Sequence, residues 1–134
     1  MENNKQATAP KGYTQAPADY FTGTAWLKPL VTPDGITNCT VTDVLFEPSA
    51  RNYGHTHPSN QILVITEGIG YYQEEGKPIQ ELHAGDVINV LPGVKHWHGA
   101  SPNNRLRHTA VNINSEKGTV TWIEPVSDED YYIE

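Results

Sequence analysis

Short apolar and β-branched runs recur from residue 25 to residue 124, each closed by turn residues. Runs at 25–31, 36–46, 61–66, 70–74, 79–82, 86–91, 107–114 and 119–124 read as strands, because Val, Ile, Thr and aromatic side chains dominate them. Between them stand turn signals: Thr32-Pro33-Asp34-Gly35, Glu67-Gly68, Glu74-Glu75-Gly76-Lys77-Pro78, Ala84-Gly85-Asp86, Leu91-Pro92-Gly93 and Ser101-Pro102-Asn103-Asn104. Gly68, Gly85 and Gly93 are expected where strands reverse, since positive φ costs glycine little. No stretch sustains a helical period, and 10 prolines and 11 glycines leave little room for one. Short strands at this spacing predict a single all-β domain, a sandwich or barrel, over residues 25–134. Residues 1–24, with Pro10 and Pro17 among Asn, Gln and Ala, read as an N-terminal arm.

Alternation assigns faces. Thr40, Thr42, Val44 and Phe46 share one face of their strand, with Val41, Asp43 and Leu45 on the other. His108, Ala110, Asn112 and Asn114 share a face, with Val111 and Ile113 opposite. A face that mixes His and Asn with small apolar residues suits neither solvent nor a dry core. It suits a polar cavity inside a barrel.

Composition narrows the class. The chain has 134 residues, 37% of them apolar and 19% charged, which fits a globular domain. No run reaches the ~20 apolar residues of a spanning helix, and the N-terminus lacks an apolar signal centre, so a cytoplasmic location without membrane partners is expected. The net charge of −7 is concentrated in the tail: Glu124, Asp128, Glu129, Asp130 and Glu134 carry five of the charges, which reads as a solubilising end. No basic stripe offers a nucleic acid a footing. One cysteine, Cys39, excludes an intrachain disulfide or a Cys-based metal framework.

The candidate chemistry lies in six histidines, all between residues 55 and 108. His55-Thr56-His57 places two imidazoles on one side of an extended segment, close enough to grip one cation. A third imidazole, His96, follows the Pro92-Gly93 turn. Together they fit a three-nitrogen metal site with an oxygen donor as fourth ligand. His83, between Leu82 and a turn, reads as ordinary surface. Trp26, Trp97 and Trp122 read as core or subunit-contact residues. Of the pairs Tyr71-Tyr72 and Tyr131-Tyr132, one member each is expected to face out.

The full pattern is His55-x-His57-x3-Gln61-x6-Gly68, then Gly85-Asp86, then Pro92-Gly93-x2-His96. It resembles the paired motifs of the cupin family, with the short intermotif spacing of small bacterial cupins. The resemblance implies the cupin double-stranded β-helix, a jelly-roll barrel, and makes Gln61 the fourth ligand where glutamate is commoner. Three imidazoles and an amide leave the full charge on the ion, a stronger Lewis acid held more weakly. Mn(II) suits such a site best, with Fe(II) close behind and Ni(II) or Zn(II) still open.

Three stretches, HTHPSNQILVITEGIGYYQEEG, HAGDVINVLPGVKHWHGASP and RHTAVNIN, are similar to the manganese cupins with (R)-selective hydroxynitrile lyase activity. That likeness implies a substrate-side histidine at His108 and cavity-lining positions at Thr42, Val44 and Asn112. Asn112 departs from the family, where a longer amide stands. The implied activity is cleavage of a cyanohydrin to an aldehyde and HCN, or the reverse, with His108 as base. His98 or Lys95 would assist the departing cyanide. Two other classes fit the same motifs: a dioxygenase acting on a small aromatic or dione, and a non-catalytic cupin binding a sugar or other small ligand. A homodimer or homotetramer is expected, paired through Val111, Ile113 and the arm.

Overall fold

The computed structural model describes residues 9–133; residues 1–8 of the arm and Glu134 of the acidic tail lie outside them. Twelve strands follow in chain order: β1 (Thr14–Gln15), β2 (Phe21–Thr22), β3 (Ala25–Val31), β4 (Cys39–Phe46), β5 (Arg51–Asn52), β6 (Gly54–Thr56), β7 (Gln61–Glu74), β8 (Gln80–His83), β9 (Val87–Val90), β10 (His96–Ala100), β11 (Leu106–Ile113) and β12 (Thr121–Glu124). A 3-10 turn at Ser115–Lys117 and one helical turn, α1 (Asp128–Tyr131), complete the described chain.

The strands form one curled sheet with two facing halves. One half runs β1-β3-β4-β11-β7 with β9 at the far edge. The other carries β8, β10, β5 and β2, with β6 and β12 off β10. β7 belongs to both: its first residues pair with β11 and β9, its last with β8 and β10. The core between the halves is aliphatic and aromatic, built on Val44, Phe46, Leu63, Ile65, Tyr72, Leu82, Leu106 and Ala110. This is the jelly-roll barrel that the strand pattern and motif resemblance anticipate.

The structure corrects the sequence reading at several points. The Glu67-Gly68 signal does not end a strand; the runs at 61–66 and 70–74 are one continuous β7. Gly68 bends it instead, at φ +88, where an added Cβ would sit 1.9 Å from the Arg105 carbonyl oxygen. The bend lets one strand serve both halves. Strands β1, β2, β5, β6 and β10 were not legible, being short or, in β10, made of His, Trp and Gly. Arm residues 14–22 are built into the sheet: β1 pairs with β3, β2 with β5, and Ala16 and Phe21 are buried.

The acidic tail also does more than solubilise. Tyr131 is fully buried beside Trp97 and Val126. The Arg51 guanidinium lies 4.2 Å from its ring centroid, donates to the Val126 carbonyl and pairs with Asp128 at 2.8 Å. Among the described residues, no helix is long and apolar enough to cross a membrane.

Candidate metal centre and the cavity around it

Cross-strand register brings the first imidazoles together. β6 and β10 pair His55 with His96, and their ring centroids lie 4.3 Å apart. His57, just beyond β6, adds a third ring 4.9 Å from His55 and 5.4 Å from His96. All three are buried. Within β10 the period of two sends His96 and His98 inward and Trp97 outward to the Tyr131 cluster.

Each of the three rings is oriented by its Nδ1. His55 Nδ1 meets the Tyr53 carbonyl at 2.6 Å, His96 Nδ1 meets the Val94 carbonyl at 3.0 Å, and His57 Nδ1 meets the Thr119 carbonyl. A carbonyl only accepts, so each Nδ1 carries the proton and each Nε2 is left with a lone pair. His57 Nε2 is buried with no protein partner. Gln61 Oε1 lies 3.2 Å from His96 Nε2, an acceptor oxygen and an acceptor nitrogen turned toward the same space. Buried acceptor lone pairs on neighbouring rings, left without a protein donor, are what a bound cation satisfies.

His98 differs. By proximity the ion-holding group among the described residues is His55, His96 and His98, one ring nitrogen from each lying within 4.8 Å of the others; His57 is not in that group. Yet the His98 Nδ1 is 3.0 Å from His108 Nε2, and the Asn52 amide nitrogen lies between the two His98 ring nitrogens, 3.4 Å from Nδ1 and 3.3 Å from Nε2. Asn52 Oδ1 accepts the His98 backbone N–H at 2.9 Å, which turns the amide NH2 toward the ring. His98 and His108 form a hydrogen-bonded imidazole pair, and Asn52 engages His98 as well.

Burial dominates the electrostatics. It holds His55 and His98 well below the ordinary value of 6.5 and lowers His57. It pushes His96 and His108 down to about 4. All five are therefore neutral near pH 7, the state in which imidazole binds a metal or accepts a proton. The lowered values carry a stability cost in the metal-free protein. Below pH 6.5 the unfolded chain takes up protons that the folded chain refuses, so stability is complete above 6.5 and falls as pH drops toward 4. For His96 and His108 the loss is about 3 kcal/mol each. Melting curves of chelator-stripped protein should drop by ~10 °C or more between pH 7 and 4.5. A Tm flat across that range would contradict the neutral cluster.

His55, His57, His98 and His108, with Gln61, line a cavity of about 290 Å³. Thr42, Val44, Phe46, His108, Ala110 and Asn112 line it, as the alternation on β4 and β11 requires. Asp43 faces outward, paired with Arg107 at 2.7 Å. His108 is fully buried, and its Nδ1 has no hydrogen-bond partner. Asn112 donates to Thr40 Oγ1 at 3.2 Å and leaves its own Oδ1 buried and unpartnered.

Lys95 is not brought to the cavity, which corrects its assignment as a catalytic candidate. It precedes inward-facing His96, so alternation turns it out, where its ammonium meets Glu124 at 2.8 Å and Glu75 at 3.6 Å. His83 is exposed beside Glu81, as expected. Trp26 and Trp97 are buried, but Trp122 lines the cavity. Tyr20, Phe21, Asn52 and Thr119 also line it and were missed. Only for Trp122 was there a usable signal, its alternation with exposed Ile123 in β12.

Residues 42–112 match the cupin domain family, a stretch covering more than half of the chain and both histidine motifs. The chain belongs to the cupin family. The (R)-mandelonitrile lyase of Granulicella tundricola is 43% identical to this cupin over 117 residues, 87% of this chain and 89% of that one. A cupin-like protein of Thermotoga maritima superposes with a TM-score of 0.88 at 42% identity, covering 93% of this chain and 95% of that one. A second Thermotoga maritima structure, described as a predicted oxalate decarboxylase, gives a TM-score of 0.68 at 21% identity. It covers 75% of this cupin and 90% of its own chain, and speaks to the fold alone.

Proposed function

We propose that this cupin is a metal-dependent lyase that cleaves or forms a cyanohydrin, with an aldehyde and HCN as the other side of the reaction. The reading rests on one observation: a buried, neutral imidazole, His108, shares a small cavity with a cluster of metal-competent histidines. The extensive identity to a mandelonitrile lyase supports it.

His55, His57 and His96 would hold the ion through Nε2, and Gln61 through Oε1. His57 is preferred to His98 as the third ligand, because its Nδ1 is carbonyl-anchored and its Nε2 has no other use. Mn(II) is the proposed ion, with Fe(II) second. When bound, it supplies Lewis acidity toward the substrate hydroxyl oxygen.

The protein groups handle the proton. In the tautomer whose Nε2–H donates to His98 Nδ1, His108 Nδ1 takes it from the substrate hydroxyl as the carbonyl forms. The bond to the nitrile carbon breaks, and its electron pair leaves with cyanide. The same proton, returned from His108 Nδ1 to cyanide, gives HCN and restores the neutral imidazole. His98 positions His108 by its hydrogen bond to Nε2. Thr42, Val44 and Asn112 shape the pocket, and Asn112 Oδ1 is a buried acceptor without a protein partner.

The test is HCN release from racemic mandelonitrile by the Mn(II)-loaded protein, with chiral analysis of what remains. Activity that disappears on chelation and returns with Mn(II) is expected. A fully loaded protein that releases no HCN but consumes O2 with a phenol or dione would replace this reading with the dioxygenase one.

A further inference from the structure

One wall of the cavity is aromatic, and two segments outside the central strands build it. Residues 17–22 bring Tyr20 and Phe21; β12 brings Trp122. Tyr20 and Trp122 stack at 4.8 Å with 11° between their planes, and Phe21 lies 5.9 Å from Trp122. Trp122 in turn sits 4.8 Å from the His55 ring, its cross-strand partner in β6. The aromatic wall therefore runs directly into the metal-competent end. Tyr20 keeps 38% of its surface exposed, although it is stacked and borders a concave apolar space.

One residue ties the wall to the histidines. The Tyr53 N–H donates to the Tyr20 carbonyl at 2.9 Å, and the Tyr53 carbonyl accepts from His55 Nδ1 at 2.6 Å. Pro17 fixes the other end of the segment, its carbonyl accepting the N–H groups of Tyr20 and Phe21, each at 3.1 Å. The wall is thus held at a set distance from His55. Concave aromatic surface that the protein leaves uncovered favours a flat apolar ligand group.

We propose that the stacked Tyr20–Trp122 pair is an aryl subsite. It selects aromatic over small alkyl substrates by holding the ring against this wall while the reacting carbon faces His108. The proposal rests on the cyanohydrin reading for its substrate, but the subsite itself is a binding claim.

The experiment therefore has two arms, run on metal-loaded wild type, Tyr20→Ala and Trp122→Leu. In the first, 19F NMR follows binding of 4-fluorobenzyl alcohol, which cannot be cleaved. Weakening of about tenfold in each variant is expected. In the second, kcat/KM is compared for mandelonitrile and acetone cyanohydrin, and the aryl-to-alkyl ratio should fall by a similar factor. Unchanged 4-fluorobenzyl alcohol binding in Tyr20→Ala would overturn the subsite, as would equal losses on both substrates. Should Trp122→Leu fail to fold, Tyr20→Ala decides alone, since that side chain is partly exposed. If wild type cleaves neither cyanohydrin, the lyase reading fails, while the NMR arm still decides whether the subsite exists.

Discussion

A His57→Ala variant is expected to purify with little bound metal and almost no lyase activity, whereas His98→Ala should keep its metal. Elemental analysis of the two proteins, purified side by side and loaded with Mn(II), reads the difference. Both rings lie beside His55 and His96, and proximity alone favours His98. The hydrogen bonds favour His57. Its Nδ1 is spent on the Thr119 carbonyl, as the other two are spent on Tyr53 and Val94. His98 spends its nitrogens on His108 and Asn52. Removing an outer partner of a ligand costs about 10- to 100-fold in metal affinity, so losing a ligand should cost at least ~100-fold. Metal lost from His98→Ala and kept by His57→Ala would reverse the ligand assignment.

The second large effect is expected at His108. Replacement by Ala should lower kcat by about 10²- to 10⁴-fold, the usual contribution of a positioned base, and leave metal content unchanged. Gln at 108 should not rescue, because an amide fills the space without accepting a proton reversibly. The pH profile carries a further signature. A histidine of ordinary pKa would lose its base form below pH 6.5; one pushed down to about 4 by burial keeps it. Cleavage by the wild type should therefore persist well below pH 6, with its acidic limb near pH 4–5 wherever metal analysis still finds the ion bound. A limb near 6.5 in fully loaded protein would remove His108 from the role of base.

Much of this site could be read from the chain because its geometry is local. His55 and His57 share a side through the period of two, and the same rule put Thr42 with Val44 and His108 with Asn112; the family resemblance made Thr42, Val44 and Asn112 cavity-lining, and strand pairing joins the two faces into one wall. That rule also argues against Lys95, one position before inward-facing His96. Charge chemistry favoured it, and the strand turned it out to Glu124. What stayed hidden depends on pairing between distant segments. Asn52 reaches His98 across 46 positions, and Thr119 reaches His57 across 62. Neither residue type announces such a role. The arm was opaque for the same reason: β1 and β2 are two residues each, too short to carry a period, and only their partners β3 and β5 define them.

The bend at Gly68 has a consequence for how the molecule comes apart. Because β7 is shared, neither half of the barrel can open without stripping one flank of the same strand. Unfolding should then be all-or-none, with the β7 amides among the last to exchange with deuterated water. Assembly faces the mirror problem. Most contacts join residues far apart in the chain, so loops must close before they are rewarded. The barrel is expected to form slowly, in milliseconds to seconds, as non-local β-topologies of this kind do.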